Sequence, residues 1–379
     1  MNFTNKKLKN VFLSVLMASA VIPVANVQAL ETGAFADISY NTSDLALKDG
    51  GAADAFAMGG LDFYARQDID PKTQAFFEYV FENNGESFVL DVERLYIKRR
   101  VNNALNIGMG RFHSPLGYWN NTFHHGVLLQ DTVSRPAFLD FEDGEAALLP
   151  THGVGLTFDG DLENGLGYDL GIVNSTFLDT SSAEPEILIA NVEDFSDDKT
   201  IVARVSYDFS NMSNIPLKLG VFGESNSIIE YSDGGSALGL NQGDEIVKQT
   251  IMGFDLRYQQ GPFSLMTEYF SISDKASKEA VAGGASSGTK DNTAYYVQLG
   301  YQATEKTRVT YRYENVSVDQ TDYYYSFLGR DEGNQNVLAI RYDLDDSNAL
   351  TFEVHDITDD TNSNLDRTEM MLDWAFLLY

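Results

Sequence analysis

The stretch Arg111–Pro150, RFHSPLGYWNNTFHHGVLLQDTVSRPAFLDFEDGEAALLP, gathers most of the side chains in this 379-residue chain that could do chemistry. It holds three of the five histidines (His113, His124 and His125), the aromatics Tyr118 and Trp119, Arg135, and a closing acidic run of Asp140, Glu142, Asp143 and Glu145. Histidines invite a metal, with His124 and His125 joined by His113 or by His152 just beyond the stretch. Neighbours on an extended chain point opposite ways, however, so His124 and His125 do not easily reach one ion. The expectation is therefore no metal site and no cofactor. Ser114 beside His113 could suggest a nucleophile and its base. Sequence neighbours rarely supply a triad, and no nucleophile-elbow pattern occurs, so an enzyme is not expected. What remains is charge: a ring of charged groups around a narrow aqueous passage sorts ions by field and solutes by width.

The elements that would position such a ring are strands. After Leu30 the chain falls into runs of about ten residues with period-2 alternation, rich in Tyr, Phe, Val and Leu and bounded by Gly, Asn, Asp and Ser. Sixteen runs result: 33–42, 56–67, 73–82, 90–100, 105–112, 152–159, 165–174, 199–210, 216–227, 246–259, 262–273, 291–303, 305–318, 335–345, 348–358 and 366–378. Helical periodicity is nowhere convincing. Long connections at 43–55, 83–89, 113–151, 175–198, 228–245, 274–290, 319–334 and 359–365 alternate with short ones. A soluble sandwich has no reason to keep its long loops on one side, whereas a membrane barrel has short turns at one end and long loops at the other.

Alternation within the runs divides the faces. In 199–210, Ile201, Ala203, Val205, Tyr207 and Phe209 would meet lipid, while Thr200, Arg204, Ser206 and Asp208 would face inward. In 305–318 the outer set is Val309, Tyr311 and Tyr313, and the inner set Arg308, Thr310, Arg312 and Glu314. Such an interior predicts a wet lumen rather than an apolar core. Because a bilayer cannot hydrate an open sheet edge, the sheet must close on itself. The fold class expected is therefore all-β, a closed antiparallel transmembrane β-barrel of about sixteen strands, with the long third external loop folded into the lumen.

Composition bounds the partners. Residues 1–29 read as a signal peptide, with Lys6, Lys7 and Lys9, an apolar run over Val11–Ala20, and a small-residue site at Val27-Gln28-Ala29. Its removal takes away three lysines and no acid, moving the formal charge from −30 to −33. A chain so acidic is no nucleic-acid binder. Cysteine is absent, which rules out disulfides and thiolate metal sites. Residues 30–379 show no linker or change of composition and are expected to form one barrel, with 113–151 as a constriction loop.

The chain ends Leu372-Asp373-Trp374-Ala375-Phe376-Leu377-Leu378-Tyr379, an alternating strand closed by an aromatic. This resembles the C-terminal assembly signal of bacterial outer-membrane barrels; Trp374 and Phe376 share the lipid face and Tyr379 falls one residue out of phase. The whole mature pattern resembles the sixteen-stranded bacterial porins, whose third external loop constricts the barrel. Locally, Gly110-Arg111-Phe112-His113-Ser114-Pro115-Leu116-Gly117 is similar to a segment of the phosphate-selective porins, although their run of channel lysines is missing.

The resemblance implies a passive outer-membrane channel for small hydrophilic solutes or ions, a homotrimer, insertion by the barrel assembly machinery, and contact with outer-membrane lipid and lipopolysaccharide. Loop acids Asp131, Asp140, Glu142, Asp143 and Glu145, with Arg135, would face the wall arginines Arg66, Arg94, Arg204, Arg257, Arg308, Arg312 and Arg341. The excess of acids predicts a mild cation preference. Two alternatives stay open: a substrate-specific porin for oligosaccharides or an anion such as phosphate, and a closed barrel acting as an adhesin or envelope anchor. Glu193-Asp194, Asp197-Asp198 and Asp359-Asp360 are best read as solvated loop charge, though acids of this kind can bind Ca²⁺ or Mg²⁺. Tyr323-Tyr324-Tyr325 suits either a sugar platform at the mouth or an exposed aromatic rim.

Overall fold

A computed structural model describes residues 30–44, 54–83, 88–123, 126–139, 147–183, 187–189, 193–210, 215–330 and 332–378. The proposed signal peptide at 1–29, the histidines His124 and His125, the acidic run Asp140, Glu142, Asp143 and Glu145, and Tyr379 all lie outside the described residues.

The strands are β1 (Glu31–Ser43), β2 (Asp54–Asp70), β3 (Thr73–Asn83), β4 (Phe88–Asn102), β5 (Leu105–His113), β6 (His152–Asp161), β7 (Leu166–Asn174), β8 (Thr176–Leu178), β9 (Ile187–Ile189), β10 (Lys199–Asp208), β11 (Leu217–Glu230), β12 (Glu245–Gln260), β13 (Phe263–Ala276), β14 (Thr289–Gln302), β15 (Thr307–Ser317), β16 (Gly333–Asp345), β17 (Asn348–Asp359) and β18 (Arg367–Leu378). β8 and β9 form a small hairpin in a loop, and β8 lies parallel to the end of β11. The other sixteen make the wall. Each pairs antiparallel with its neighbour, β10 takes over from β7, and β1 pairs with β18 to close the cylinder. No helix among the described residues is long and apolar enough to cross a membrane.

All sixteen expected runs coincide with wall strands. Several extend further than the pattern suggested, and β3 and β4 together leave only 84–87 between them, so the second connection is not long. Most other connections on that end are longer than the turns at the opposite end, although 360–366 is shorter than 209–216; the longest runs from His113 to His152. Some positions tolerate no side chain. At Gly110, with φ 142°, a Cβ would stand 2.0 Å from the Leu95 carbonyl oxygen, because β4 and β5 approach closely there.

The outer face is apolar and uncovered: Ile201, Val205, Val221, Met252, Leu338, Ile340, Phe352, Leu372 and Trp374 are all exposed. Alternate residues on the same strands, among them Arg204, Glu224, Arg312, Glu314, Glu353 and Asp373, are buried and polar. An apolar exterior around a closed sheet is the arrangement a bilayer selects, since every backbone group finds its partner in the neighbouring strand.

The interior departs from the expected wholly wet lumen. Phe222, Ile251, Phe270, Ile272, Ala294 and Tyr296 point inward and pack with Leu116, Trp119, Phe138, Leu139 and Ala147–Leu149 of the long connection. Inward apolar residues are stable there because that connection covers them. Tyr324 and Tyr325 join the same cluster, in the short helix Tyr323–Phe327. Their burial overturns the reading of 323–325 as an exposed rim or platform.

Candidate functional site

The long connection is fastened to the wall by two kinds of side chain. Carboxylates on the wall accept its backbone N–H groups. Glu268 on β13 takes Tyr118 N–H at 2.6 Å and Trp119 N–H at 2.7 Å with the same oxygen. Glu353 on β17 takes Val133 N–H at 2.7 Å and Ser134 N–H at 3.0 Å. Glu314 on β15 takes Ala137 N–H. An irregular loop buried against a wall has backbone donors with no ladder to join, and these three acids satisfy five of them.

Arginines supply the complement by donating to carbonyl and hydroxyl oxygens. Arg312, fully buried, donates to Thr132 Oγ1 at 2.8 Å, Ser134 Oγ at 2.8 Å and the Arg135 carbonyl at 2.9 Å, and pairs with Glu314 at 2.6 Å. Its guanidinium carbon stands 5.4 Å from the Trp119 ring centre. Arg341 donates to the Gln130 carbonyl at 2.6 Å and pairs with Asp343. Arg308 reaches both oxygens of Asp131, at 2.7 and 2.9 Å. A guanidinium presents five donors in a fixed fork, which suits it to several oxygens at once.

The expected wall arginines thus divide in two. Arg308, Arg312 and Arg341 grip the connection directly, and Arg257 stacks on it, 3.6 Å from the Tyr118 ring centre. The other three pair with acids on the wall: Arg204 reaches across β11 to Asp255 on β12, bidentate at 2.8 and 2.9 Å, while on neighbouring strands Arg94 is bidentate with Glu78 and Arg66 lies 3.6 Å from Glu31. Of the expected loop groups, Asp131 meets an arginine, and Arg135 borders a cavity.

Three spaces flank the connection. One of about 520 Å³ lies between Ser134–Ala137 and the wall at Glu314, His355, Arg367 and Glu369. Another of about 400 Å³ lies between Tyr118–Thr122 and Asp169, Arg204, Asp208, Lys218 and Arg257. The third, about 170 Å³, is bounded by Arg94, Tyr96, Lys98, Asn121 and Asp159. All three are lined by charges of both signs.

Comparison with known proteins fits this geometry. No family model and no curated protein sequence matches the chain. Solved structures do. The anion-selective porin of Comamonas acidovorans shares 12% identity, with 92% of this chain and 99% of that one covered at a TM-score of 0.62. OmpF of Salmonella typhi, in complex with daunomycin, shares 10%, with 92% and 97% covered and a TM-score of 0.62. The outer-membrane channel DcaP of Acinetobacter baumannii shares 11%, with 94% and 99% covered and a TM-score of 0.57. The fold is that of a bacterial outer-membrane porin.

Within this porin fold, several residues escaped the sequence reading. Glu268 and Glu353 sit on inward positions, but only the path of the connection reveals what they hold. Tyr64, Phe76 and Tyr96 form a stacked row across β2, β3 and β4, with centroid spacings of 6.5 and 5.4 Å. Arg94 lies 4.6 Å over Phe76 and Lys98 5.7 Å over Tyr96. The partner strands' register makes this row visible: Phe76 faces both Arg66 and Tyr96.

Outside the wall, Asp322 accepts Tyr324 N–H and Asn292 Nδ2 in the connection after β15. Burial pushes its carboxyl above the ordinary aspartate range, against those hydrogen bonds. The loop acid Asp194 is held by Lys199 at 2.8 Å and by two backbone N–H groups, which makes it a local fastener.

Proposed function

We propose that this chain is a passive, non-enzymatic diffusion channel for small hydrophilic solutes, with residues 113–151 narrowing the lumen and setting its field. The observation that carries the reading is the fastening of 114–139 to inward wall side chains through Glu268, Glu314, Glu353, Arg308, Arg312 and Arg341, with charged spaces left beside it. A segment held at this many points keeps its place as solutes pass. The acid excess of the chain favours mild cation preference. Homotrimer assembly, contact with lipopolysaccharide and insertion by the barrel assembly machinery belong to the same proposal. A salt gradient across a planar bilayer tests the selectivity: a reversal potential of cationic sign is expected, and one of anionic sign would refute the charge argument.

One observation favours a second reading, a substrate-specific porin. The stacked row Tyr64, Phe76 and Tyr96, flanked by Arg94 and Lys98, offers flat apolar faces beside cations. Sugars or planar anions would dwell on such a strip. Solute-dependent blockade of the current that Tyr96→Ala abolishes would decide for it.

A further inference from the structure

The strands that carry the long connection bring three metal-ligating side chains together at its root. His113 ends β5, His152 begins β6, and the two face each other across the antiparallel pair. On the other side of β5, Leu95 of β4 pairs with Arg111. The same register continued by two residues brings Glu93 opposite His113. Directly opposed residues on antiparallel strands carry their Cβ atoms about 4.5–5.5 Å apart, so one row across three strands can direct three side chains at a single point. One ligand atom from each of Glu93, His113 and His152 lies within 4.8 Å of the other two, and all three residues are buried. His152 Nε2 stands 2.8 Å from a Glu93 oxygen, the two imidazoles are 5.3 Å apart, and the Thr151 hydroxyl is 3.2 Å from His152 Nδ1.

We propose that Glu93, His113 and His152 bind a divalent transition-metal ion of the zinc class, which ties the two feet of the long connection together. The donor set decides the class. Two imidazoles and one carboxylate suit zinc and its transition-metal neighbours, whereas magnesium and calcium take oxygen ligands. Tetrahedral zinc, with ligands at about 2.0–2.1 Å, spaces its donor atoms roughly 3.3 Å apart, between the 2.8 Å already separating His152 Nε2 from Glu93 and the 4.8 Å that bounds the set. Water takes the fourth position. The Thr151 hydroxyl beside Nδ1 orients the His152 ring so that Nε2 faces the ion, the usual part of a hydrogen-bonding neighbour to a metal ligand.

The position gives the ion a structural consequence. The chain leaves the wall at His113 and returns at His152, and the next residues inward, Ser114 and Thr151, are already joined by a backbone hydrogen bond of 2.7 Å. Asn120 reinforces the same point by donating to both the Ser114 and Thr151 carbonyls. An ion that binds only the assembled row stabilises the docked connection by mass action. The site rests on the strand register and the side-chain distances and is independent of what the barrel conducts.

The test uses the full chain, folded in detergent and stripped with a chelator, then titrated calorimetrically with Zn²⁺ alone and with Mg²⁺ alone. One Zn²⁺ per chain, a raised unfolding midpoint with Zn²⁺, and no effect of Mg²⁺ are expected. His113→Ala and His152→Ala should each weaken Zn²⁺ binding at least about tenfold. Folding of each variant is checked by heat-modifiable gel mobility. Should either histidine variant fail to fold, Glu93→Gln, which keeps shape and hydrogen-bonding capacity, answers the same question. Absence of a saturable event at one ion per chain, or binding that survives these substitutions undiminished, would overturn the site.

Discussion

Glu268→Ala is the sharpest perturbation of the loop's hold. In the native chain one Glu268 oxygen accepts the N–H groups of Tyr118 and Trp119, at 2.6 and 2.7 Å, where the connection turns into the short helix Trp119–Phe123. Trp119 is 1% exposed, so the donors lie beside one of the best-covered side chains of the described residues. A buried donor left without an acceptor costs about 1–3 kcal/mol, and two of them weaken docking by about 2–6 kcal/mol. With every ~1.4 kcal/mol worth a factor of ten, even the lower figure multiplies the undocked fraction more than about tenfold. Glu268→Gln keeps one acceptor oxygen and should have a smaller effect in the same direction. Hydrogen exchange at the amides of 118–134, with single-channel recording in planar bilayers, reads the result. Faster exchange and more frequent wide openings are expected; unchanged exchange and current in a correctly folded Glu268→Ala barrel would refute the fastening argument.

Other consequences are equally direct. A double-mutant cycle on Asp131→Ala and Arg308→Ala, scored by thermal unfolding, should return a coupling of about 1 kcal/mol, the low side for a charged hydrogen-bonded pair because both partners are partly exposed; additivity would show that the pair does not hold the loop. Arg94→Ala should move the reversal potential towards cations by removing a positive group beside the cavity at Tyr96 and Lys98, and Glu78→Gln should move it the other way. The raised carboxyl of Asp322 binds its proton more tightly folded than unfolded. Its contribution is therefore full below the unfolded aspartate pKa and is lost as pH rises through the folded value. The unfolding midpoint should fall over that window in the native chain and fall less in Asp322→Asn; equal slopes would contradict the assignment.

The wall was legible because period-2 alternation is strong in runs of ten residues, and closure followed from the cost of an open edge in lipid. Ile201, Val205, Leu338 and Ile340 are exposed where Arg204 and Arg341 turn inward, as the alternation in those strands required. The hairpin of β8 and β9 was not legible, since three-residue strands carry no measurable period. Parity also says nothing about what covers an inward position. Phe270 and Tyr296 read as oddities in a wet lumen until Leu116, Trp119 and Phe138 are laid over them. For the same reason Glu268 and Glu353 were recognisable as inward acids but not as acceptors for a loop. The pairing of His113 with His152 was not legible, because a connection as long as 114–151 does not fix the register of the two strands it joins. Nor was Glu93 legible, since its place opposite His113 follows from the β4–β5 register, which no pattern in the sequence fixes.

The central claim is that residues within 113–151 narrow an open barrel. Single-channel conductance of the full chain against a chain lacking 116–148, both verified as folded, measures it most directly. The account predicts a conducting native barrel and a larger conductance after the deletion. A native barrel that passes no current, or a deletion that leaves the current unchanged, would contradict it.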